Sequence, residues 1–375
     1  MSFEFSTAAR VCFGVGAARE LPQLAASFGR RVLVVSNTTA HGPLPGEALL
    51  LTIRGEPSVD FAREGARLAR EHNVDVLIGY GGGSAIDAAK AIAALAANPG
   101  DPMDYLEVVG RGQPLEQPSL PFIAVPTTAG TGAEVTRNAV LASPEHHFKV
   151  SLRSPHMLAK VAVVDPELTL DLPPAVTAST GLDALTQLIE PYVSARANPM
   201  TDPLCLDGIR RVARALPVAF RDGANIEART DMSLASLFGG MALANAGLGV
   251  VHGFAAPIGG MFPAPHGAIC AALLAQGMDA NIRALRRRDP ASEALQRYTD
   301  VARTLTGDNA ATMEDGVAWV ARLVAACVIP RLGVYGIAES DVAELVAKAA
   351  QASSMKANPI RLTNEELAEV LLRAI

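Results

Sequence analysis

The chain has 375 residues, 50% of them apolar and 19% charged, with a formal net charge of −6 at pH 7. That balance excludes a disordered chain and allows two domains of roughly 150 to 200 residues each. It also speaks against nucleic acid or an anionic membrane as partner, since the one basic run, Arg286-Arg287-Arg288 before Asp289-Pro290, reads as a solvated helix end.

The opening residues, Met1-Ser2-Phe3-Glu4-Phe5, have no basic start and no apolar run, so no secretion signal is expected. Short apolar runs at 31–36, 74–79, 121–126 and 161–165 read as strands buried on both faces of a parallel sheet. An alanine-rich helix is expected at 84–97, between the second and third strands. The alternation implies a doubly wound sheet with ligands at the carboxyl ends of its strands. The texture changes at Asp171-Leu172-Pro173-Pro174. Beyond it, helical spacing runs through 175–194, 202–220, 227–248, 293–305, 313–332 and 339–351. The expected organisation is therefore an α/β domain over 1–170 and an all-helical domain over 171–375. The weakly charged stretch 237–264 is too polar and glycine-rich for a membrane span and reads as domain interior. Cys12, Cys205, Cys270 and Cys327 form no CxxC pair and read as buried free thiols in a reducing compartment, so a cytoplasmic location is expected.

Several segments carry chemistry. Gly81, Gly82, Gly83 and Ser84 form a strand-to-helix turn whose backbone N–H groups suit a pyrophosphate, with Ser84 capping the helix and Asp87 returning the bond. The alternative is a plain βα turn, and the spaced GxGxxG fingerprint is not matched. The loop from Pro126 to Glu134, with Thr127, Thr128 and Thr131, offers small hydroxyls at the next strand end, and Glu134 is placed to orient a lysine or cap a turn. Lys149, after His146-His147, is either a phosphate-facing or a surface lysine. Asn37 stands where an acidic residue would bind an adenosine ribose and repel a 2′-phosphate. Its neutrality keeps both NAD and NADP as candidates.

Farther on, Asp183 and Gln187 are four residues apart on one helical face. His252 and His266 lie in Val251-His252-Gly253 and Pro265-His266-Gly267. A carboxylate, an amide and two imidazoles are divalent-metal ligands, and burying them without partners would cost several kcal/mol. The bland reading of each alone is a satisfied core residue; together they point to a metal site.

These motifs resemble the iron-containing (group III) alcohol dehydrogenase family over nearly the whole chain. The markers are Phe13-Gly14-Val15-Gly16, Gly81-Gly82-Gly83-Ser84, the 126–132 loop, Val164-Asp165-Pro166-Glu167-Leu168, Gly181-Leu182-Asp183-Ala184 and the two His-Gly motifs. The resemblance implies a dinucleotide domain followed by a helical domain, with metal and substrate in the cleft between them. It also implies NAD or NADP, one divalent metal (Fe2+ or Zn2+), a small alcohol or aldehyde substrate, and a homo-oligomer. By the same resemblance Gly81, Gly82, Gly83 and Ser84 hold the pyrophosphate, Thr127, Thr128 and Thr131 line the nicotinamide side, and Lys149 binds the cofactor. Asn138 and Val140 lie near the nicotinamide and substrate entry. Asp183, Gln187, His252 and His266 fall on the metal positions, Asp183, His252 and His266 being catalytic, and Phe254 supplies apolar wall.

The chain departs from the family in three places. Gln187 stands where histidine is usual; Asp183, His252 and His266 still make a three-ligand set, as in the related glycerol dehydrogenases, which use zinc. Ala256 replaces a proton-relaying histidine, so the proton must leave by water or the cofactor ribose. The segment 38–53 is short. Competing readings are a maleylacetate-reductase-like enzyme using Arg137 or Arg153, a lyase of the dehydroquinate-synthase type, and a degenerate nucleotide-binding protein.

Overall fold

The structure, a computed structural model, describes residues 2–37, 44–107, 110–143, 145 and 148–375, Phe148 by its backbone alone. The four apolar runs become its central strands. β1 (Val11–Phe13), β2 (Val32–Ser36), β3 (Leu49–Thr52), β4 (Val76–Gly81) and β5 (Phe122–Pro126) are followed by a hairpin of β6 (Asn138–Ser143) and β7 (Phe148–Arg153), then β8 (Val161–Val164). Every residue of β2, β4, β5 and β8 is buried. These four pair in parallel with the short outer strands in the order β1-β8-β5-β4-β2-β3. The order reverses between β2 and β4, and a doubly wound sheet takes its ligand at the carboxyl end of such a switch point.

The sequence reading missed β1 and β3, which are only three and four residues long and lie at the sheet edges. It also missed the antiparallel β6–β7 hairpin, whose first strand alternates half-buried and buried positions. The helices of this region are α1 (Leu21–Ala26), α2 (Val59–Glu71), α3 (Gly83–Ala97) and α4 (Pro102–Tyr105). Leu21, Leu24 and Ala25 of α1 cover Val34, Ile78 and Val125 on one side of the sheet. Ala62, Ala66, Ala91 and Leu95 of α2 and α3 pack with Leu141 and Leu152 of the hairpin.

After β8 no strand follows. The remaining helices are α5 (Pro174–Val193), α6 (Asp202–Arg221), α7 (Ile226–Ala246), α8 (Val250–Met261), α9 (His266–Arg288), α10 (Glu293–Thr306), α11 (Met313–Ala326), α12 (Val342–Gln351) and α13 (Asn364–Leu372). Pro174 occupies the first turn of α5, where its missing N–H costs nothing. The helix expected over 313–332 stops at Ala326. Val328 has a left-handed φ of 53°, and Pro330 disfavours helical backbone in the residue before it. Arg286, Arg287 and Arg288 do form the last turn of α9, where cations suit the helix dipole, and they pair with Glu314 and Glu366.

The chain divides into two compact units: Ser6–Thr128 with Gly132–Leu170, and Asp171–Ile375 with Met1–Phe5 and Ala129–Thr131. Among the described residues no single helix is long and apolar enough to cross a membrane; α7 and α8 would qualify only together, and they meet at 99°. All four cysteines are free, and Cys12, expected to be buried, is only partly so because it sits on an outer strand.

The α/β unit buries a cation. Lys90 of α3 donates from Nζ to the carbonyls of Ala133 and Asn138, both at 2.8 Å, and to Thr136 Oγ1 at 3.0 Å. Its Nζ stands 3.6 Å from Asp87 Oδ1. It thereby ties the chain after β5 to α3. Burial raises Asp87 and lowers Lys90, and it pushes the nearby Glu134 carboxyl up to about 7. The folded state thus holds a proton on Glu134 that the unfolded chain releases from about 4.5 upward. This contribution to stability is full below that value and is lost as pH rises to 7. Glu134→Gln is expected to flatten the fall in stability between pH 4.5 and 7, a difference of about 2–3 kcal/mol, measured by urea denaturation across pH.

Candidate functional site

The helical unit gathers its polar residues around α5. Asp183, Gln187 and Glu190 sit at i, i+4 and i+7 on one face of that helix, and all three are buried. His252 lies in the first turn of α8; His266 opens α9, with Cys270 one turn later on the same face. Gly267 lets α9 start this close to α5: a Cβ there would meet the Ser179 carbonyl oxygen at 2.5 Å.

These elements aim four donor atoms at one point. Asp183 Oδ1 is 3.4 Å from His252 Nε2 and 3.7 Å from His266 Nε2. Cys270 Sγ is 3.8 Å from the first nitrogen and 3.7 Å from the second. All four donors lie within 4.8 Å of one another. Gln187 Nε2 donates to the other carboxylate oxygen, Asp183 Oδ2, at 3.1 Å.

Surrounding groups hold the imidazoles in place. His252 Nδ1 is 2.7 Å from Glu190 Oε2, and Glu190 Oε1 accepts the Val251 N–H at 2.7 Å. One carboxylate therefore orients the ring and caps α8. Asn358 Oδ1 accepts the next free N–H, that of Val250, at 3.0 Å and is itself fixed by Asn281. With Nδ1 turned to Glu190, Nε2 is the His252 nitrogen that faces the cluster.

The electrostatics are those of a cation site. Burial alone would raise Asp183, yet the imidazoles, His266 foremost, hold it below the ordinary aspartate value. Burial would discharge both histidines, but the Cys270 sulfur and Asp183 outweigh it: His252 is raised well above normal and His266 to about 9. Asp183 Oδ1 and Gln187 Oε1 are nonetheless buried without a hydrogen-bond partner. An orphaned carboxylate oxygen costs about 1–3 kcal/mol or more unless something satisfies it. Oxygen, nitrogen and sulfur donors at this spacing fit a divalent transition ion.

In the α/β unit the glycine turn sits at the switch point. Gly82 N–H donates to Asn37 Oδ1 at 3.2 Å, joining the ends of β4 and β2, and Thr127 N–H donates to the Gly81 carbonyl at 2.9 Å, joining those of β5 and β4. Thr128 lies against Gly82. Gly82 is the N-cap of α3, with Gly83 and Ser84 its first residues. The expected Ser84–Asp87 capping pair does not form: the helix start has no side-chain bond, and Asp87 instead accepts the Val140 N–H at 3.0 Å and faces Lys90. The N–H groups of Gly83 and Ser84 thus receive no side-chain cap, as suits a ligand there. Asn138 opens β6 and gives its carbonyl to Lys90. Lys149, on β7, is mostly buried and lies 3.2 Å from Glu56. Thr131 groups with the helical unit, Phe254 is fully buried in the helical core, and Ala256 is exposed. His146-His147 and residues 38–43 of the short segment lie outside the described residues.

Sequence reasoning missed Glu190, Cys270 and Lys90. The first two had a legible signal, since Glu190 falls seven residues after Asp183 and Cys270 four after His266. Lys90 had none beyond being the one cation in an alanine-rich helix.

Residues 8–166 match the iron-containing alcohol dehydrogenase model, and residues 177–375 match the model of that family's C-terminal region. Alcohol dehydrogenase 4 of Schizosaccharomyces pombe is 38% identical over 324 residues, 86% of this chain and 74% of the relative. The crystal structure of a 1,3-propanediol oxidoreductase superposes with a TM-score of 0.89 at 29% identity, covering 100% of both chains. A sulfoacetaldehyde reductase from Bifidobacterium kashiwanohense, solved in complex with NAD+, gives 0.86 at 26% identity and covers 100% of this chain and 99% of its own. The chain belongs to the iron-containing alcohol dehydrogenase family. It is an oxidoreductase of the alcohol dehydrogenase type, acting on CH–OH groups.

Proposed function

We propose that the enzyme reversibly interconverts a small alcohol and its aldehyde or ketone, using NAD or NADP and one divalent ion, zinc or iron, held by Asp183, His252 and His266. The observation that carries this reading is the orphaned Asp183 Oδ1 facing two imidazole nitrogens at 3.4 and 3.7 Å. When bound, such an ion supplies Lewis acidity, which acidifies an alcohol and polarises a carbonyl. The chain's own residues prepare the site. Glu190 fixes the tautomer and pose of His252, and Gln187 occupies Asp183 Oδ2 so that Oδ1 is the free oxygen. His266, whose side chain is 36% exposed, is the open edge through which substrate reaches the cluster.

The cofactor reading rests on the α/β unit. The N–H groups of Gly83 and Ser84 at the start of α3 would hold the pyrophosphate, that of Gly82 being given to Asn37. Asn37 presents a neutral amide at the switch point, so its side chain does not repel a 2′-phosphate; the NAD+ complex of the sulfoacetaldehyde reductase supports NAD. Thr127, Thr128, Thr131 and Asn138 line the nicotinamide side. Lys149, 3.2 Å from Glu56, would offer its ammonium to the cofactor. Ala256 carries no group that could relay a proton, so the alcohol proton would have to leave through water or the cofactor ribose.

Gly81→Ala tests the turn. Gly81 has φ 150°, and an added Cβ would stand 2.1 Å from Asn37 Oδ1. Strain of about 1–3 kcal/mol corresponds to a rise in cofactor KM of roughly 10- to 100-fold, with metal content unchanged. The activity itself is tested by following NADH and NADPH with straight-chain and carboxylated aldehydes, before and after chelation and after reloading with Fe2+ or Zn2+. The expected result is oxidation that chelation abolishes and one of the ions restores. Failure of both cofactors across the panel after reloading would contradict the proposal.

A further inference from the structure

We infer that Cys270 is the fourth protein ligand of the ion, completing an Asp183–His252–His266–Cys270 set, and that Gln187 is a positioning residue outside it. This rests on the metal-site reading just given. Gln187 presents its nitrogen to the cluster, donating to Asp183 Oδ2 at 3.1 Å. Its oxygen lies 3.6 Å from where a Gly239 Cβ would stand and has no hydrogen-bond partner. Reversing the amide would set its oxygen against a carboxylate oxygen, a repulsive contact. An amide NH2 has no lone pair to offer a metal, so Gln187 holds the carboxylate instead.

The Cys270 sulfur does face the cluster. It lies 3.8 and 3.7 Å from the two imidazole nitrogens, and the carboxylate oxygen lies 3.4 and 3.7 Å from the same two. Donors bound at ~2.0–2.3 Å around a tetrahedral ion stand roughly 3.3–3.7 Å from one another. The four observed separations fall at or just above that range. The other two buried cysteines differ. Cys205 and Cys327 belong to the helical core, and burial pushes both thiols up, Cys327 to about 11. Cys270 is equally buried, yet its sulfur faces two imidazoles and lies beside the orphaned Asp183 Oδ1. On loading, the thiol gives its proton to solvent and the sulfur binds as thiolate. A thiolate makes the set softer and favours zinc over iron.

The test replaces the native ion with cobalt(II), whose thiolate complexes absorb strongly in the near ultraviolet. The wild type is expected to bind one cobalt ion per chain and show that charge-transfer band. Gln187→Met is expected to keep the band. Cys270→Ser is expected to lose the band while still taking up cobalt, with affinity at least about tenfold lower. A chain with Cys12→Ser, Cys205→Ala and Cys327→Ala is expected to keep the band, which tests the assignment even if the Cys270 variant fails to fold. Stoichiometric cobalt without the band in the wild type would overturn the role of Cys270 and leave the Asp183–His252–His266 reading standing. A band that survives in Cys270→Ser would overturn it equally. Absence of any bound cobalt would overturn both readings together.

Discussion

Asp183→Ala is expected to abolish metal binding and to lower kcat/KM for aldehyde reduction by about three orders of magnitude, some 4 kcal/mol of transition-state stabilisation. The carboxylate is the only anionic oxygen in the cluster, and both imidazoles lie within 3.7 Å of its Oδ1. Without it, two imidazoles with rings 5.5 Å apart would keep only the Cys270 sulfur between them and, for His252, the Glu190 carboxylate on its far nitrogen. Such a pair repels a cation when protonated and holds it weakly when neutral. Cofactor binding should survive, because the turn at Gly81–Ser84 and Asn37 lies in the other unit. The check is kcat/KM measured beside cofactor fluorescence titration: activity lost with cofactor affinity intact. A loss smaller than tenfold would remove Asp183 from the reacting centre.

The second large effect is on stability. Lys90→Met is expected to destabilise the protein by about 3–5 kcal/mol, the cost of breaking a buried charged group away from its partners. Three oxygens receive the Lys90 ammonium, and Asp87 and Glu134 rely on its charge. Methionine matches the stem but removes the donor shared by those oxygens, leaving only the weak bond at 3.2 Å from the Thr136 hydroxyl to the Ala133 carbonyl. Pairing it with Glu134→Gln, which removes one stranded acid, should recover part of the loss, and the coupling is read from a double-mutant cycle by thermal unfolding. A loss under 1 kcal/mol would mean that the chain after β5 is held by other contacts.

The sequence carried the fold class because its signals were long and redundant. Four apolar runs buried on both faces and six long helical patterns survive local uncertainty. The helices α2, α13 and, beyond its arginine end, α9 were not read; the rest of what it hid was short or tertiary. β1 and β3 are too brief to show a period, and α8, rich in glycine and buried, presents no polar face to mark its helical repeat. The candidate metal residues were legible as residue types in a nearly uncharged setting, but their partners were not. That Glu190 would cap one helix and orient His252 depends on how α5 meets α8, and which end of its amide Gln187 would turn toward Asp183 is not written in their spacing along α5. Ser84 shows the reverse case: the local rule for a capping box was satisfied on paper, and Asp87 went instead to Val140 and the buried lysine.

The account turns on one ion seated among Asp183, His252 and His266, and elemental analysis reads that most directly. Wild-type protein and Asp183→Ala would be purified side by side after growth with iron or zinc, and metal counted per chain. The account predicts one equivalent in the wild type and next to none in the variant. Equal metal in the two proteins, or a wild type that oxidises NADH or NADPH with an aldehyde while carrying no metal, would contradict it.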